Sequence, residues 1–131
     1  MDNNENNTLS KKILVVEDDP FLSNLLKVRL EKERLNVILA KDGDEAIKKI
    51  QETDPDLILL DLILPKKSGF EVLQNISLDP NFKNKPVVII SNLGQTIDVQ
   101  KAKELGAVEY FIKAKISIDD LILKIKEFIS K

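Results

Sequence analysis

Leu57-Ile58-Leu59-Leu60-Asp61-Leu62-Ile63-Leu64-Pro65 is the stretch on which the reading of this chain turns. Four consecutive aliphatic residues ahead of one carboxylate, with more aliphatics and a proline behind it, predict a strand buried on both faces whose carboxyl end presents an acid. Holding a lone charge in apolar surroundings costs on the order of several kcal/mol. Asp61 therefore needs a partner charge, a metal ion or a chemical task. The plain alternative is a loop or helix-capping aspartate just past a strand end.

Upstream, Lys12-Ile13-Leu14-Val15-Val16 is a β-rich run that ends in the acidic triplet Glu17-Asp18-Asp19. Pro20 is a favoured first helical residue, Asp19 is placed as its N-cap, and Leu22, Leu25, Leu26 and Leu30 follow at helical spacing. The same alternation recurs along the chain. Strands are expected over 35–40, 56–60, 86–90 and 108–112. Helices are expected over 44–52 with Ala46, Ile47 and Ile50 inward, and over 69–76 carrying Phe70, Leu73 and Ile76. Another spans 95–105, closed by Gly106, with Ile97, Ala102 and Leu105 as inward candidates. The last starts after Ser117 and carries the stripe Ile118, Leu121, Ile122, Ile125, Phe128 and Ile129.

Strands alternating with helices in this way predict an α/β fold, a parallel sheet covered on both faces, because parallel neighbours need right-handed crossovers. Such open sheets bind ligands at the carboxyl ends of their strands, near the point where strand order reverses. That rule selects Glu17, Asp18 and Asp19 after the first strand, Asp61 after the third, Ser91 and Asn92 after the fourth, and Lys113 after the fifth.

Composition narrows the chemistry. The length of 131 residues suits one domain, with the polar, asparagine-rich residues 1–9 expected as a disordered lead-in and 10–131 as the folded unit. There is no cysteine, so disulfides and thiolate metal sites are excluded and a reducing cytoplasm is compatible. There is no histidine either, so any metal must be held by oxygen, which favours magnesium, calcium or manganese. The 20 basic and 22 acidic residues are interspersed and give a net charge of −2, with no basic stripe for nucleic acid. No apolar run approaches the ~18 residues that suggest a membrane span.

Carboxylates converging in one crevice repel each other unless a cation sits among them. Magnesium would meet that need with Glu17 or Asp18, Asp61 and the backbone carbonyl of Ile63. An ionised Asp61 can then attack phosphorus to form an acyl phosphate, with Lys113 countering charge on the phosphoryl oxygens. Ser91 offers a hydroxyl to one of those oxygens, and its movement would carry its loop along. Tyr110 lies in the fifth strand, where a half-buried aromatic is the default.

The stretches ILVVEDDP, LILLDLILP followed by KKSGFEVL, PVVIISN and LGAVEYFIKAKIS, with the closing helix, resemble the receiver domain of two-component response regulators, in order and spacing across residues 12–130. The resemblance is to the single-domain, chemotaxis-regulator-like kind. It implies a flavodoxin-like fold of strand order 2-1-3-4-5 and phosphorylation of Asp61 by a sensor histidine kinase or phosphotransfer protein. It implies Mg2+ as cofactor, held directly by Asp18 and through water by Glu17. Ser91, with Asn92 beside it, becomes the switch hydroxyl, Lys113 the phosphate-binding lysine and Tyr110 the rotating switch aromatic.

The resemblance further implies a signalling receiver rather than an enzyme, assisting only its own phosphorylation and dephosphorylation. It would act in the cytoplasm on a downstream protein target, without binding nucleic acid or membrane. A monomer is expected, with weak dimerisation through the fourth helix, fifth strand and fifth helix. Since nothing follows the last helix, a stand-alone receiver is expected.

Four positions depart from the family pattern. Ala114 follows Lys113 where the family commonly has proline, which predicts a trans bond and an altered loop. Ile63 and Leu93 stand where polar side chains often flank the hydrolytic water, which predicts a long-lived phosphoryl group. Asn92 replaces a small residue and is expected to narrow access for small phosphodonors. Two other functions fit parts of the pattern. One is a magnesium-dependent aspartyl-phosphate phosphohydrolase, though it usually needs a second aspartate where Ile63 stands. The other is a receiver-shaped interaction module that is never phosphorylated.

Overall fold

A computed structural model of the chain describes residues 11–130. The disordered lead-in expected over residues 1–9 lies outside the described residues. Five strands, β1 (Lys12–Val16), β2 (Asn36–Ala40), β3 (Leu57–Leu60), β4 (Val87–Ser91) and β5 (Glu109–Ile112), alternate with helices α1 (Pro20–Lys32), α2 (Gly43–Thr53), α3 (Gly69–Leu78), α4 (Thr96–Glu104) and α5 (Ile118–Ile129). The sheet order is β2-β1-β3-β4-β5, and every neighbouring pair is parallel. This is the doubly wound, flavodoxin-like arrangement, with β1 and β3 at the reversal of strand order.

The apolar runs explain the placement. In β3 and β4 every residue is buried, as a strand covered on both faces requires. The two-residue period then divides the side chains between layers. Leu14, Val16, Ile58, Leu60, Val87 and Ile89 pack with Ala46 and Ile50 of α2, Val72, Leu73 and Ile76 of α3 and Ala102 of α4. Ile13, Val15, Leu57, Leu59, Val88 and Ile90 pack with Leu26 and Leu30 of α1 and Leu121, Ile122 and Ile125 of α5. On that second face α1 and α5 are also joined by ion pairs, Arg29 to Asp119 at 2.6 Å and Lys126 to Glu33 at 2.8 Å. The pairs are partly solvated, so the packed aliphatics carry most of that contact.

The helix starts follow the capping chemistry of the sequence. Asp19, Asp42, Ser68 and Ser117 each accept a backbone N–H of the first turn, and Ser68 with Glu71 closes a reciprocal capping box. Element ends differ from the sequence expectation by only a few residues. One inward candidate is corrected: Ile97 is 68 % exposed. Ala102, fully buried, marks the inward side of α4, and five residues earlier the helix has turned about 140° away from it. No helix among the described residues is long and apolar enough to cross a membrane.

One close approach fixes the chain leaving β3. Gly69, the first residue of α3, donates its N–H to the Leu62 carbonyl at 2.9 Å. A Cβ there would lie 2.3 Å from the Asp61 carbonyl oxygen and 2.4 Å from Leu62 Cα. The loop of residues 63–68 therefore leaves and returns at almost one point, directly beside Asp61.

Because β3 is sandwiched between both layers, Leu59→Ala is expected to cost about 2–5 kcal/mol of stability, whereas exposed Leu78→Ala stays within about 0.5 kcal/mol. Urea unfolding followed by circular dichroism measures both; equal small losses would contradict the two-layer packing.

Candidate functional site

The carboxyl ends of β1, β3 and β5 bring three acids and one lysine together. Asp61 follows directly after β3, and its N–H still donates to the Val16 carbonyl at 3.1 Å, which carries the β1–β3 pairing one step further. Glu17 follows β1 in the same way, with its N–H on the Ala40 carbonyl at 2.9 Å. The backbone thus delivers the two acids side by side. Glu17 is 3 % exposed and Asp61 2 %.

Lys113 opens a short 3-10 turn, Lys113–Lys115, that extends β5. Ala114 predicts a trans bond and an altered loop here; the bond from Lys113 to Ala114 is trans, and the loop is this 3-10 turn. The lysine Nζ lies 2.6 Å from Asp61 Oδ2 and 2.7 Å from Glu17 Oε1. It donates a hydrogen bond to Asp61. It also forms a short ion pair with the buried Glu17 Oε1. Glu17 Oε2 accepts the Asp19 N–H at 3.0 Å, and Asp61 Oδ1 accepts the Ile63 N–H at 3.0 Å. Asp18 is exposed at the mouth.

The charges do not balance. Two buried carboxylates face one ammonium, and Asp18 adds a third negative group at the rim. Burial pushes the Glu17 carboxyl up, and the Asp61 charge adds to this, while Lys113 and the Asp19 N–H pull it down without cancelling it. For Lys113 burial works against the charge, but the Asp61 and Glu17 carboxylates outweigh it and the ammonium is held above the usual lysine range.

Carboxylate oxygens of Glu17, Asp18 and Asp61 lie within 4.8 Å of one another. Three converging hard oxygens fit a small oxygen-preferring divalent cation such as magnesium. Ile63, whose carbonyl the sequence reading offered as a further ligand, stands 54 % exposed in the loop beside them.

A second group surrounds the loop after β4. Ser91 is fully buried, and its Oγ accepts the Leu93 N–H at 3.3 Å. The Tyr110 hydroxyl donates to the Leu93 carbonyl, so both polar groups of this one residue are gripped. Burial, followed by the charges of Asp98 and Asp61, pushes the Tyr110 phenol above its usual range. Asn92 is exposed on the same loop. The structure therefore gathers Glu17, Asp18, Asp61 and Lys113 into one cluster and links Ser91 to Tyr110 through Leu93. What sequence reasoning missed is the Lys113–Glu17 contact. The available signal was that two buried acids require a nearby cation.

The sequence profile of the response regulator receiver domain matches residues 13–126. The alkaline phosphatase synthesis transcriptional regulatory protein PhoP of Bacillus subtilis is 38 % identical over 105 residues, 80 % of this chain and 43 % of that protein. The chain thus spans less than half the length of that relative. The receiver domain of HemR from Leptospira biflexa, in its non-phosphorylated form, superposes with a TM-score of 0.85 at 30 % identity, covering 93 % of this chain and 96 % of that one. The Mn(2+)-bound form of response regulator Rcp1 superposes with a TM-score of 0.77 at 35 % identity, covering 92 % of each.

The charge arrangement makes two outcomes testable in the metal-free protein. Lys113→Met strands two buried carboxylates and is expected to cost about 3–5 kcal/mol near neutral pH. Adding Asp61→Asn should recover part of that loss, and urea unfolding of the double variant reads it. Glu17, whose folded carboxyl titrates above its unfolded value of 4.5, contributes stability that is present below that value and lost as pH rises through the folded one. Glu17→Gln should therefore raise the urea midpoint at pH 7, with the gain vanishing as the pH falls toward 4.

Proposed function

The chain belongs to the response regulator receiver family, and from that premise we propose that it accepts a phosphoryl group on Asp61 from the phosphohistidine of a sensor kinase or phosphotransfer protein. The observation that supports this most directly is the buried Asp61 carboxylate, with Lys113 Nζ 2.6 Å away and the oxygens of Glu17 and Asp18 converging on it. Residues 10–131 form the receiver domain in this reading, and the cytoplasm is its place of action.

An Asp61 oxygen attacks the phosphorus, a P–O bond forms as the P–N bond to the donor imidazole breaks, and the product is an acyl phosphate. Magnesium, held by Asp18 and Asp61 with Glu17 behind them and the Ile63 carbonyl beside them, would supply neutralisation of negative charge on the transferring group. The Ile63 N–H fixes one carboxylate oxygen and so limits the rotamers available to the nucleophile. Lys113 is already charged and in place; its ammonium passes from the carboxylate to a phosphoryl oxygen without a proton changing hands.

Ser91 then carries the event outward. Its hydroxyl leaves the Leu93 N–H for a phosphoryl oxygen, and the 91–95 loop follows because the Tyr110 hydroxyl holds the Leu93 carbonyl. α4, β5 and α5 form the responding face, which contacts a downstream protein and supports weak pairing of a monomeric chain. The manganese-bound Rcp1 structure supports the metal preference expected of an all-oxygen site. Asn92 at the rim would restrict small phosphodonors, and the chain acts on no external substrate.

Incubation with magnesium and acetyl phosphate should give one hydroxylamine-labile phosphoryl adduct by intact mass, absent in Asp61→Asn and absent when the metal is chelated. Equal labelling of Asp61→Asn, or sustained turnover of phosphate esters, would overturn the proposal. The apolar side chains of Ile63 and Leu93 offer no hydrogen bond to an attacking water, so the adduct should persist for minutes after the donor is removed. Loss within seconds would contradict that part of the reading.

A further inference from the structure

The loop between β3 and α3 is seated on the first turn of α2. The Gly43 N–H donates to the Pro65 carbonyl at 3.3 Å. Asp42, a carboxylate only 6 % exposed, caps α2 by accepting the Glu45 N–H on Oδ1 at 2.8 Å and turns Oδ2 toward Lys66 Nζ at 3.8 Å. Lys67 Nζ lies 3.8 Å from Asp44 Oδ1. Gly43 leaves no space between the two segments: a Cβ would lie 2.2 Å from the Lys67 carbonyl oxygen and 2.5 Å from Lys67 Cβ. Lys66 itself sits at φ +68°, a left-handed conformation that a lysine keeps only where its surroundings impose it.

The seat lies within a few residues of the chemistry. Ile63, whose N–H holds Asp61 Oδ1, stands at 54 % exposure, so its own side chain anchors little. Leu62 is buried on one side of it and Leu64 half-buried on the other. The Gly69 contact holds the chain at Leu62, and where Pro65, Lys66 and Lys67 come to rest sets the other end of the path.

We propose that Asp42, Gly43 and Lys66 are positioning residues for Asp61: by seating the loop on α2 they hold the Ile63 N–H against one carboxylate oxygen and keep the nucleophile in a single orientation. The inference rests on the reading of Asp61 as phosphoryl acceptor. A nucleophile free to rotate spends less time aligned, and small misplacements weigh heavily on reaction rates.

Gly43→Ala and Lys66→Ala in the full chain test this, with Lys66→Arg as the conservative control. Two quantities are read at a temperature where circular dichroism shows each variant folded. They are amide hydrogen exchange at Ile63 against Leu59 in β3, and the rate of labelling by acetyl phosphate with magnesium in excess. In Gly43→Ala, Ile63 exchange is expected to rise about tenfold and labelling to slow about fivefold, while Leu59 exchange stays put. Lys66→Ala should move both in the same direction by about twofold, and Lys66→Arg should restore them. If Gly43→Ala fails to fold, exposed Lys66→Ala carries the test.

Variants that label at the wild-type rate with unchanged Ile63 exchange overturn the inference alone. So does slower labelling with Ile63 exchange unmoved, or a rise at Leu59 equal to that at Ile63. Wild-type protein that takes no label at all overturns the acceptor reading, and this inference with it.

Discussion

One ammonium between two buried carboxylates is the constraint on which the site depends. Lys113 reaches Asp61 and Glu17 at under 3 Å, in surroundings where an unpaired charge would be strongly disfavoured. The lysine keeps its charge because the two acids outweigh its burial, and burial, with the Asp61 charge added to it, pushes the Glu17 carboxyl up further than Lys113 pulls it down. The cluster is left with surplus negative charge, two buried carboxylates and the Asp18 carboxylate against one ammonium. Asp18 adds a third acid at its mouth, and carboxylate oxygens converging in this way suit a divalent cation.

The fold supplies this arrangement as a consequence of strand direction. In a parallel sheet all carboxyl ends share one edge, so residues far apart in sequence, such as Glu17, Asp61 and Lys113, meet without any dedicated local motif. The β1–β3 pairing sets the first two side by side, and the turn after β5 brings in the third. Close backbone contact at Gly69 ties the start of α3 to the Asp61 peptide, and the α2 start supports the loop between them. The acids and the lysine sit at strand ends, and the segment after Ser91 is tied to Tyr110 through Leu93, whose side chain packs partly against the core.

Much of this was legible in the residues. Strands as apolar as Leu57–Leu60 and Val87–Ser91 show their burial on both faces, and Asp19 and Ser117 announce helix starts, whereas the Ser68 cap emerges only in the structure. The acids stand out in the sequence by their position after such strands. Less was legible where three-dimensional neighbours decide the outcome. Ile97 is apolar yet exposed, because α4 is short and Ala102 rather than the largest side chain sets its inward side. The Lys113 contact to Glu17 and the seating of residues 65–67 on α2 involve pairs distant in sequence, each ordinary by itself. No periodicity reveals that a glycine at 43 faces a backbone carbonyl across 24 positions of chain, from 43 to 67.

The most direct test of the central claim is a crystal structure of the protein grown with magnesium and beryllofluoride. Beryllofluoride is expected on a carboxylate oxygen of Asp61, with a metal ion bound by Asp18 and Asp61 and Lys113 Nζ moved from Glu17 onto a fluoride. An unmodified Asp61 with Lys113 still lodged between both carboxylates, under conditions where the ligands are in excess, would contradict that claim.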